Sequence, residues 1–309
     1  MAMTLVEASK LNSGEVVRSS VIELFARSSE ILRVLPFVDI TGGSYAYNQE
    51  GRLPGVAFRG VNEAFSESIG IINPQVEVLR IAGGDLDVDK AIIEMHGEGV
   101  RASHERMKVQ ALSLYMGKKM LKGDSLSDPR EFDGLQNRIT GSQLIPAGAT
   151  SGGDALSLVK LDEAIDAVDF PTHLLVSKAI RRLLTVAART TTVGGFITYG
   201  VDEFGRKITM YNDLPLLIIE QDDTGARVLD FNEANPGGGS AVGTSIYVVN
   251  FSEGYVQGLQ NGTMQVRDLG EIDAKPVWRT RVDWLVGLAT LHSRCAARLW
   301  GVKNAAVVA

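Results

Sequence analysis

The sequence predicts an α+β fold in which helical and β-rich stretches follow one another along the chain. Three observations carry this prediction. Residues 88–122 show a long helical periodicity, residues 41–78 alternate between apolar and polar types with many turn residues, and short β-branched or aromatic runs dominate after residue 195. The chain has 309 residues, which is long enough to bury a substantial core.

The first element is a predicted amphipathic helical arm over residues 5–35. Its apolar residues Val17, Val21 and Leu24 recur at helical spacing, and Pro36 disfavours helix through Leu35. We expect this arm either to pack on its own chain or to reach a neighbouring chain.

The second element, residues 41–78, predicts a long β-hairpin. Its strand-like alternation is interrupted by the turn dipeptide Pro54-Gly55. Because an isolated two-stranded ribbon is marginally stable in water, this one must lie on its own domain or on another subunit.

The third element is the long helix, predicted from Val88 to Lys122. Acidic residues lead it and lysines trail it, which suits the helix dipole, while Gly97 and Gly99 allow a kink or a break. The cluster Asp85-Leu-Asp87-Val-Asp89 resembles a calcium loop, but Lys90 and His96 occupy the positions that need Gly and Glu. Capping of the helix by one of these aspartates explains the cluster better.

The second half of the chain predicts helices over residues 158–169 and 173–190, followed by strands. The predicted strands cover residues 195–200, 207–211, 214–220, 244–251, 263–269 and a last segment from 275 to about 284. Beyond Gly287 the state of the chain stays open.

Composition excludes several functional classes. Lys and Arg number 31 against 37 Asp and Glu, a net charge of −6, which argues against a dedicated nucleic-acid binder. The single cysteine, Cys295, forms no internal disulfide and excludes metal sites made of several thiolates. No stretch is long and apolar enough for a membrane span, no signal segment is evident, and no motif predicts a metal, a cofactor or a catalytic set.

Several short motifs accompany this order of elements. They are Phe132-Asp-Gly134-Leu135 after the long helix, residues 245–251 with Gly254-Tyr255, Arg279-Thr-Arg281-Val-Asp-Trp284, and Ala296-Ala297-Arg298-Leu299. Together with the order, they resemble the major capsid protein of tailed bacteriophages, which has the Hong Kong 97-type capsid fold. The resemblance covers nearly the whole chain.

The resemblance implies five parts. They are an N-terminal arm (1–40), an extended β-hairpin loop (41–80), a peripheral domain with a long spine helix (81–155), an axial α/β domain (156–274) and a C-terminal return to the peripheral domain (275–309). It implies no enzymatic activity and no cofactor. The same fold leaves a nanocompartment shell protein open, and the residues alone leave open a soluble α/β enzyme with a dispersed site.

The implied function is self-assembly into an icosahedral shell of hexamers and pentamers around double-stranded DNA, within a virion capsid that is assembled in the host cytoplasm. The implied partners are other copies of the chain, a separate scaffolding protein, a portal, a decoration protein as an open option, and packaged DNA through non-specific contact, with no membrane. Because the arm begins almost at Met1, either a separate scaffolding protein or an already processed chain is expected.

Candidate interface residues lie in the extended loop. We expect Arg52, Arg59, Glu63 and Glu67 to pair with charges on an adjacent subunit, and Leu53, Val56 and Phe58 to pack on its spine helix. The alternative is that these charges are solvated, since exposed ion pairs contribute only about 0–1 kcal/mol each. Some relatives crosslink their subunits through a lysine in this loop, but residues 45–68 contain none, so no such bond is expected here.

Overall fold

A computed structural model describes residues 4–5, 24–25, 28–148, 153–189, 197–201, 207–236 and 243–308. Its helices are α1 (Glu30–Val34), α2 (Lys90–His96), α3 (Glu98–Lys122), α4 (Leu135–Arg138), α5 (Leu158–Asp166) and α6 (Lys178–Ala187). The strands of the first half are β1 (Phe37–Asp39), β2 (Ser44–Arg52), β3 (Ile71–Val78), β4 (Arg80–Asp89), β5 (Leu144–Pro146) and β6 (His173–Val176). Those of the second half are β7 (Ile197–Val201), β8 (Lys207–Tyr211), β9 (Leu214–Ile218), β10 (Thr244–Val249), β11 (Val256–Gln260), β12 (Gln265–Ile272), β13 (Lys275–Thr290) and β14 (Ala296–Val302).

The strands form two large sheets and one separate ribbon. The five-stranded sheet is built around β13, which pairs with β4 along one side and with β12 and then β11 along the other, while β1 joins β11 in parallel. The seven-stranded sheet has the order β5-β14-β10-β6-β9-β8-β7, and the ribbon is the antiparallel pair β2-β3. The predicted α+β fold is confirmed.

The main core lies between the long helix α3 and the two large sheets. Met116 and Met120 of α3 are buried there, and Trp284 of β13 packs edge-on against Phe25, with ring centroids 5.4 Å apart. Phe25 and α1 belong to the predicted arm, so the described part of that arm packs on its own chain. The arm's other residues, 6–23 and 26–27, lie outside the described part.

The long helix differs from the prediction at its beginning. Residues 80–89 form strand β4, and the helix starts only after Asp89, whose carboxylate accepts a hydrogen bond from the backbone N–H of Ala91. Gly97, with φ of 84°, then separates α2 from α3, so the predicted break is confirmed. The capping role holds for Asp89 alone, because Asp85 and Asp87 point from the strand to arginines of β13.

The end of α3 explains the motif that follows it. The backbone N–H of Gly134 donates to the carbonyl of Gly123 at 2.9 Å, and a Cβ on Gly134 would come within 2.7 Å of the Leu121 carbonyl group. Only glycine permits this close approach of two backbones. It turns the chain back along the helix and directs Leu135 into the core.

Two further corrections concern the second half. Residues 173–176, predicted as helix, form strand β6, and α6 begins after Ser177, whose side chain caps it. Strand β11 was not predicted, and the last segment continues as strand to Thr290 and again as β14.

Strand pairing joins residues on both sides of the last predicted boundary, which lies at residue 274 between the axial domain and the C-terminal return. β11 and β12 belong with β13, whereas β14 returns to the seven-stranded sheet beside β10. The physical reason is that the chain, after β10, crosses to the five-stranded sheet and then back to the seven-stranded sheet. The division into five parts stays a prediction.

Candidate assembly surface

The β2-β3 ribbon is largely exposed in the described part of the chain. Its register runs from Ser44 opposite Val78 to Arg52 opposite Ile71, with an irregularity between Glu50 and Arg52. Residues 53–70, which we name the ribbon tip, contain no strand, contrary to the predicted alternation. Pro54 lacks a donor, and glycines at 51, 55 and 60 weaken strand pairing.

The base of the ribbon is firmly attached. Tyr45 and Tyr47 stack at 5.8 Å and face a small core that includes Leu79 and Leu259. The guanidinium of Arg138 holds the carboxylate of Glu77 with two hydrogen bonds, one of 2.8 Å from Nη2 to Oε2 and the other from Nη1 to Oε1. This attachment fixes the direction in which the ribbon leaves the molecule.

Tyr47 completes the attachment from the other strand. Its hydroxyl donates to Oε1 of Glu77 at 3.4 Å. Burial, and then the negative charge of Glu77, raise the pKa of Tyr47, so the phenol stays protonated as a donor.

The tip presents apolar side chains to solvent. Leu53 is 74% exposed, Val56 is 96% exposed and Phe58 is fully exposed. The further exposed apolar residues of the ribbon, which the prediction did not name, are Val61, Phe65, Ile69, Ile71, Ile72, Val76 and Val78. For three of them the sequence offers a signal: Ile72, Val76 and Val78 lie at even spacing and therefore share one face of β3.

The tip is nevertheless locally ordered by its polar groups. The backbone N–H of Gly60 donates to Oε2 of Glu63 at 2.8 Å, and Nη1 of Arg59 donates to the carbonyl of Glu63 at 3.2 Å. The Arg59 guanidinium also lies 5.0 Å from the centroid of the Phe65 ring, within the range of a cation–π contact. Close to the two ends of the tip, the N–H of Gly55 donates to Oγ of Ser68 at 2.6 Å.

The structure therefore brings together only part of the predicted set. Arg59 and Glu63 meet within the tip, while Glu67 is exposed among the described residues. Arg52 lies at the end of β2, but its side chain falls outside the described part. The contacts of these residues with another subunit stay a prediction.

A second polar feature stiffens the sheet next to the ribbon. Asp87 of β4 receives two hydrogen bonds of 2.6 Å from Arg279, and Asp85 receives bonds of 2.7 and 2.8 Å from Arg281. Hydrogen bonding to these arginines lowers the pKa of both aspartates. The aspartate cluster that resembled a calcium loop therefore forms cross-strand pairs.

Sites of other kinds are not evident. Among the residues that the structure describes, no group of three His, Cys, Asp or Glu side chains is placed to hold a metal ion. Within the same residues, no helix has the length and apolar character that crossing a membrane requires.

Comparison with known families decides between the remaining classes. The family model described as major capsid protein GP7 matches residues 12–171, more than half of the chain. The chain belongs to the major capsid protein GP7 family. This capsid protein is accordingly a shell-forming structural protein of the virion capsid, and its assembly implies contacts between copies of itself.

Solved structures show the same fold. The encapsulin SrpI of Synechococcus elongatus PCC 7942, in its holo complex, is 18% identical with a TM-score of 0.63, covering 90% of this chain and 89% of that one. A structure from Microbacterium phage Oxtober96 is 15% identical with a TM-score of 0.61, covering 88% and 90%. The capsid of a native GTA particle is 12% identical with a TM-score of 0.56, covering 89% and 91%.

The structural similarity establishes the Hong Kong 97-type fold of the capsid protein, and at these low sequence identities it establishes nothing finer. Among curated proteins, none matches the sequence.

Proposed function

We propose that the capsid protein closes into an icosahedral shell of hexamers and pentamers around packaged double-stranded DNA, and that the ribbon tip of each subunit lies on helix α3 of a neighbour. The observation that carries the proposal is the exposed apolar surface of the tip, centred on Val56 and Phe58. Contiguous exposed apolar surface on an otherwise well-packed protein marks an interaction site.

The energetics fit an assembly of many weak contacts. Burying one large apolar side chain stabilises by about 1.5–3 kcal/mol, while association costs several kcal/mol of lost freedom. One tip on one neighbour is therefore weak, but each subunit of a ring both gives and receives a tip. Closed multivalent contact then stabilises a shell that no single contact would hold together.

The proposed role of the charges follows from the local order of the tip. Arg59 and Glu63 set the shape of the turn through their mutual contact, while Glu67 is exposed and available to a cation on the neighbour. Arg52, Arg59, Glu63 and Glu67 are proposed to form the polar rim, and Leu53, Val56 and Phe58 the apolar centre, of this contact. Apolar centres with polar rims are the usual anatomy of protein interfaces.

Further partners belong to the same proposal. They are a separate scaffolding protein, a portal, a decoration protein as an open option, and packaged DNA held by non-specific contact. Assembly is proposed to take place in the host cytoplasm, and the protein is proposed to carry out no catalytic step. A net charge of −6 suits a wall that must later release its DNA.

The test compares two substitutions at one exposed position. Phe58→Glu is expected to abolish shells in negative-stain images while leaving the unfolding transition of the free subunit unchanged, because the Phe58 side chain is fully exposed in the described part of the chain. Phe58→Leu, the matched control, keeps an apolar side chain and should still assemble. Normal shells from Phe58→Glu would contradict the proposed role of the tip.

The alternative function is a nanocompartment shell, which has the same fold as the encapsulin. The contents of purified particles separate the two functions. Nuclease-protected DNA supports the virion shell, whereas an enclosed protein cargo without DNA would support the compartment.

A further inference from the structure

Phe170 is held in an unusual conformation at the end of the loop between α5 and β6. Its φ is 50°, in the left-handed region, and its side chain is 79% exposed. A bulky residue in this region costs about 1–2 kcal/mol, and exposing the ring forgoes its burial. Neither cost is offset by a contact of the ring within the chain as described.

The backbone around Phe170 is fixed on both sides. The N–H of Asp169 donates to the carbonyl of Arg294 at 3.1 Å, and the carbonyl of Asp169 accepts from Nδ2 of Asn250 at 2.8 Å. On the other side, the N–H of Thr172 donates to the carbonyl of Val249 at 3.0 Å. The backbone therefore sets the direction in which the Phe170 side chain leaves the chain, and strain maintained in this way is a mark of functional sites.

A pocket of about 230 Å³ lies beyond the opposite end of β6. Its apolar lining is Ala179, Ile219, Leu229 and Phe231, and its cationic lining is Lys178, Arg182 and Arg227. It sits where the parallel strands β6 and β9 end and where α6 begins. Ser177, Glu220 and Gln221 complete the lining, so the pocket combines an apolar floor with a polar rim in which three cations face one acid.

A subunit cannot place Phe170 in its own pocket. The ring precedes β6 and the pocket follows it, and the four residues of that strand span about 13 Å at ~3.3 Å per residue. A projection at one end of a sheet and a recess at the other suit a head-to-tail contact between identical subunits, which generates rings when the rotation closes.

We propose that Phe170 of one copy docks into this pocket of the next copy, as an anchor between seven-stranded sheets around a capsomer. The inference rests on the proposed shell and adds a contact that does not involve the ribbon. An aromatic anchor that fills a pocket with an apolar floor and a polar rim is typical of the residues that dominate binding energy.

The charges at the two ends are complementary. Asp166, four residues before Phe170, is exposed; its backbone carbonyl accepts from Arg294 at 3.1 Å, but no ion pair of its carboxylate is found among the described residues, while Asp169 pairs with Arg294 at 3.3 Å. At the pocket, Lys178 pairs with Glu220, but Arg182 has no acidic partner in the described part of the chain. We therefore assign Asp166 to Arg182 of the adjacent copy.

The first test is a double-cysteine variant, Phe170→Cys with Ala179→Cys. The chain's own Cys295 is buried, and positions 170 and 179 of one chain are too far apart for a disulfide, which needs Cα atoms within about 7 Å. Oxidised particles should give a ladder of multimers on non-reducing denaturing gels, and each single-cysteine variant should not. If the wild type forms shells, and the double variant also assembles but runs as single chains on the gel, this inference is overturned. The proposed shell is unaffected by that result.

The second test applies if replacing the aromatic side chain of Phe170 by cysteine prevents assembly. Asp166→Arg and Arg182→Asp should each lower shell yield roughly tenfold, and the combined variant should restore it. Failure of the combined variant to restore assembly would overturn the contact. A second pair of results would also overturn the contact: Asp166→Arg forms normal shells, and Arg182→Asp forms shells that no longer retain DNA. These results would indicate that the basic residues of the pocket bind DNA phosphates instead. A wild type that forms no shells would remove the proposed function itself.

Discussion

Arg138 and Glu77 form a two-pronged ion pair that ties the base of the β2-β3 ribbon to the short helix after α3. Their side chains are only 11% and 19% exposed, so each charge depends on the other. Arg138→Ala leaves Glu77 partly buried without its cation and should destabilise the free subunit by about 2–3 kcal/mol. Urea unfolding of the unassembled protein measures this loss.

The matched control for that variant is Lys160→Ala, which removes an exposed ion pair with Glu163. It should change the free energy of unfolding by less than about 1 kcal/mol. Equal effects of the two variants would show that the ribbon base is not held by its ion pair.

Gly97 and Gly99 offer a second matched pair of substitutions. A Cβ at either position would meet no atom within 4 Å, but only Gly97 has a positive φ. Gly97→Ala should therefore destabilise by about 1 kcal/mol through backbone strain, while Gly99→Ala should be neutral or stabilise the helix by up to about 1 kcal/mol. The midpoints of thermal unfolding of both variants test this prediction. If Gly97→Ala stabilises the protein, α2 and α3 form one continuous helix.

The buried thiol of Cys295 predicts that the stability of the fold depends on pH in the alkaline range. Burial raises the pKa of its thiol to about 12, from an ordinary value of 9.0. Since the folded chain holds this proton more tightly than the unfolded chain, the contribution to stability is complete below pH 9 and is lost as the pH rises towards 12. The native thiol should stay unreactive to a disulfide reagent at pH 8 and react after unfolding, and the Cys295→Ala variant should lose less stability between pH 9 and 11 than the wild type.

The absence of lysine from residues 41–80 gives a prediction about covalent linkage. Without a lysine amine, the extended loop cannot supply the nucleophile for an isopeptide bond to a neighbour. Assembled wild-type particles, boiled in reducing denaturant, should run as single chains. A ladder of multimers whose crosslinked peptides map to this loop would refute the prediction.

Local signals in the sequence predicted the parts of the fold that local chemistry determines. The hairpin, the end of the long helix at Gly123 and the helix break at Gly97 follow from residue types within a few positions. The candidate interface stays a prediction. The apolar residues of the tip stand out in the sequence, but the contact of Arg59 with Glu63 and Phe65 depends on how the tip folds back.

The parts that were mispredicted depend on distant partners. Strand β4 contains acids that suit a helix start, and its strand state is stabilised by Arg279 and Arg281, about two hundred residues away in the chain. Strand β6 is a short, almost fully buried apolar run, which periodicity cannot distinguish from a helix. Phe170 and the pocket beyond β6 carry no motif, because the first is marked by its backbone conformation and the second is assembled from three segments.

The central claim is that the ribbon tip finishes its packing on another copy of the chain. Cryo-electron microscopy of particles assembled from the wild-type protein tests it most directly. The predicted result is a closed shell in which Val56 and Phe58 of each subunit contact helix α3 of its neighbour. A closed shell whose tips point into solvent, or a protein that stays monomeric under all assembly conditions, would contradict it.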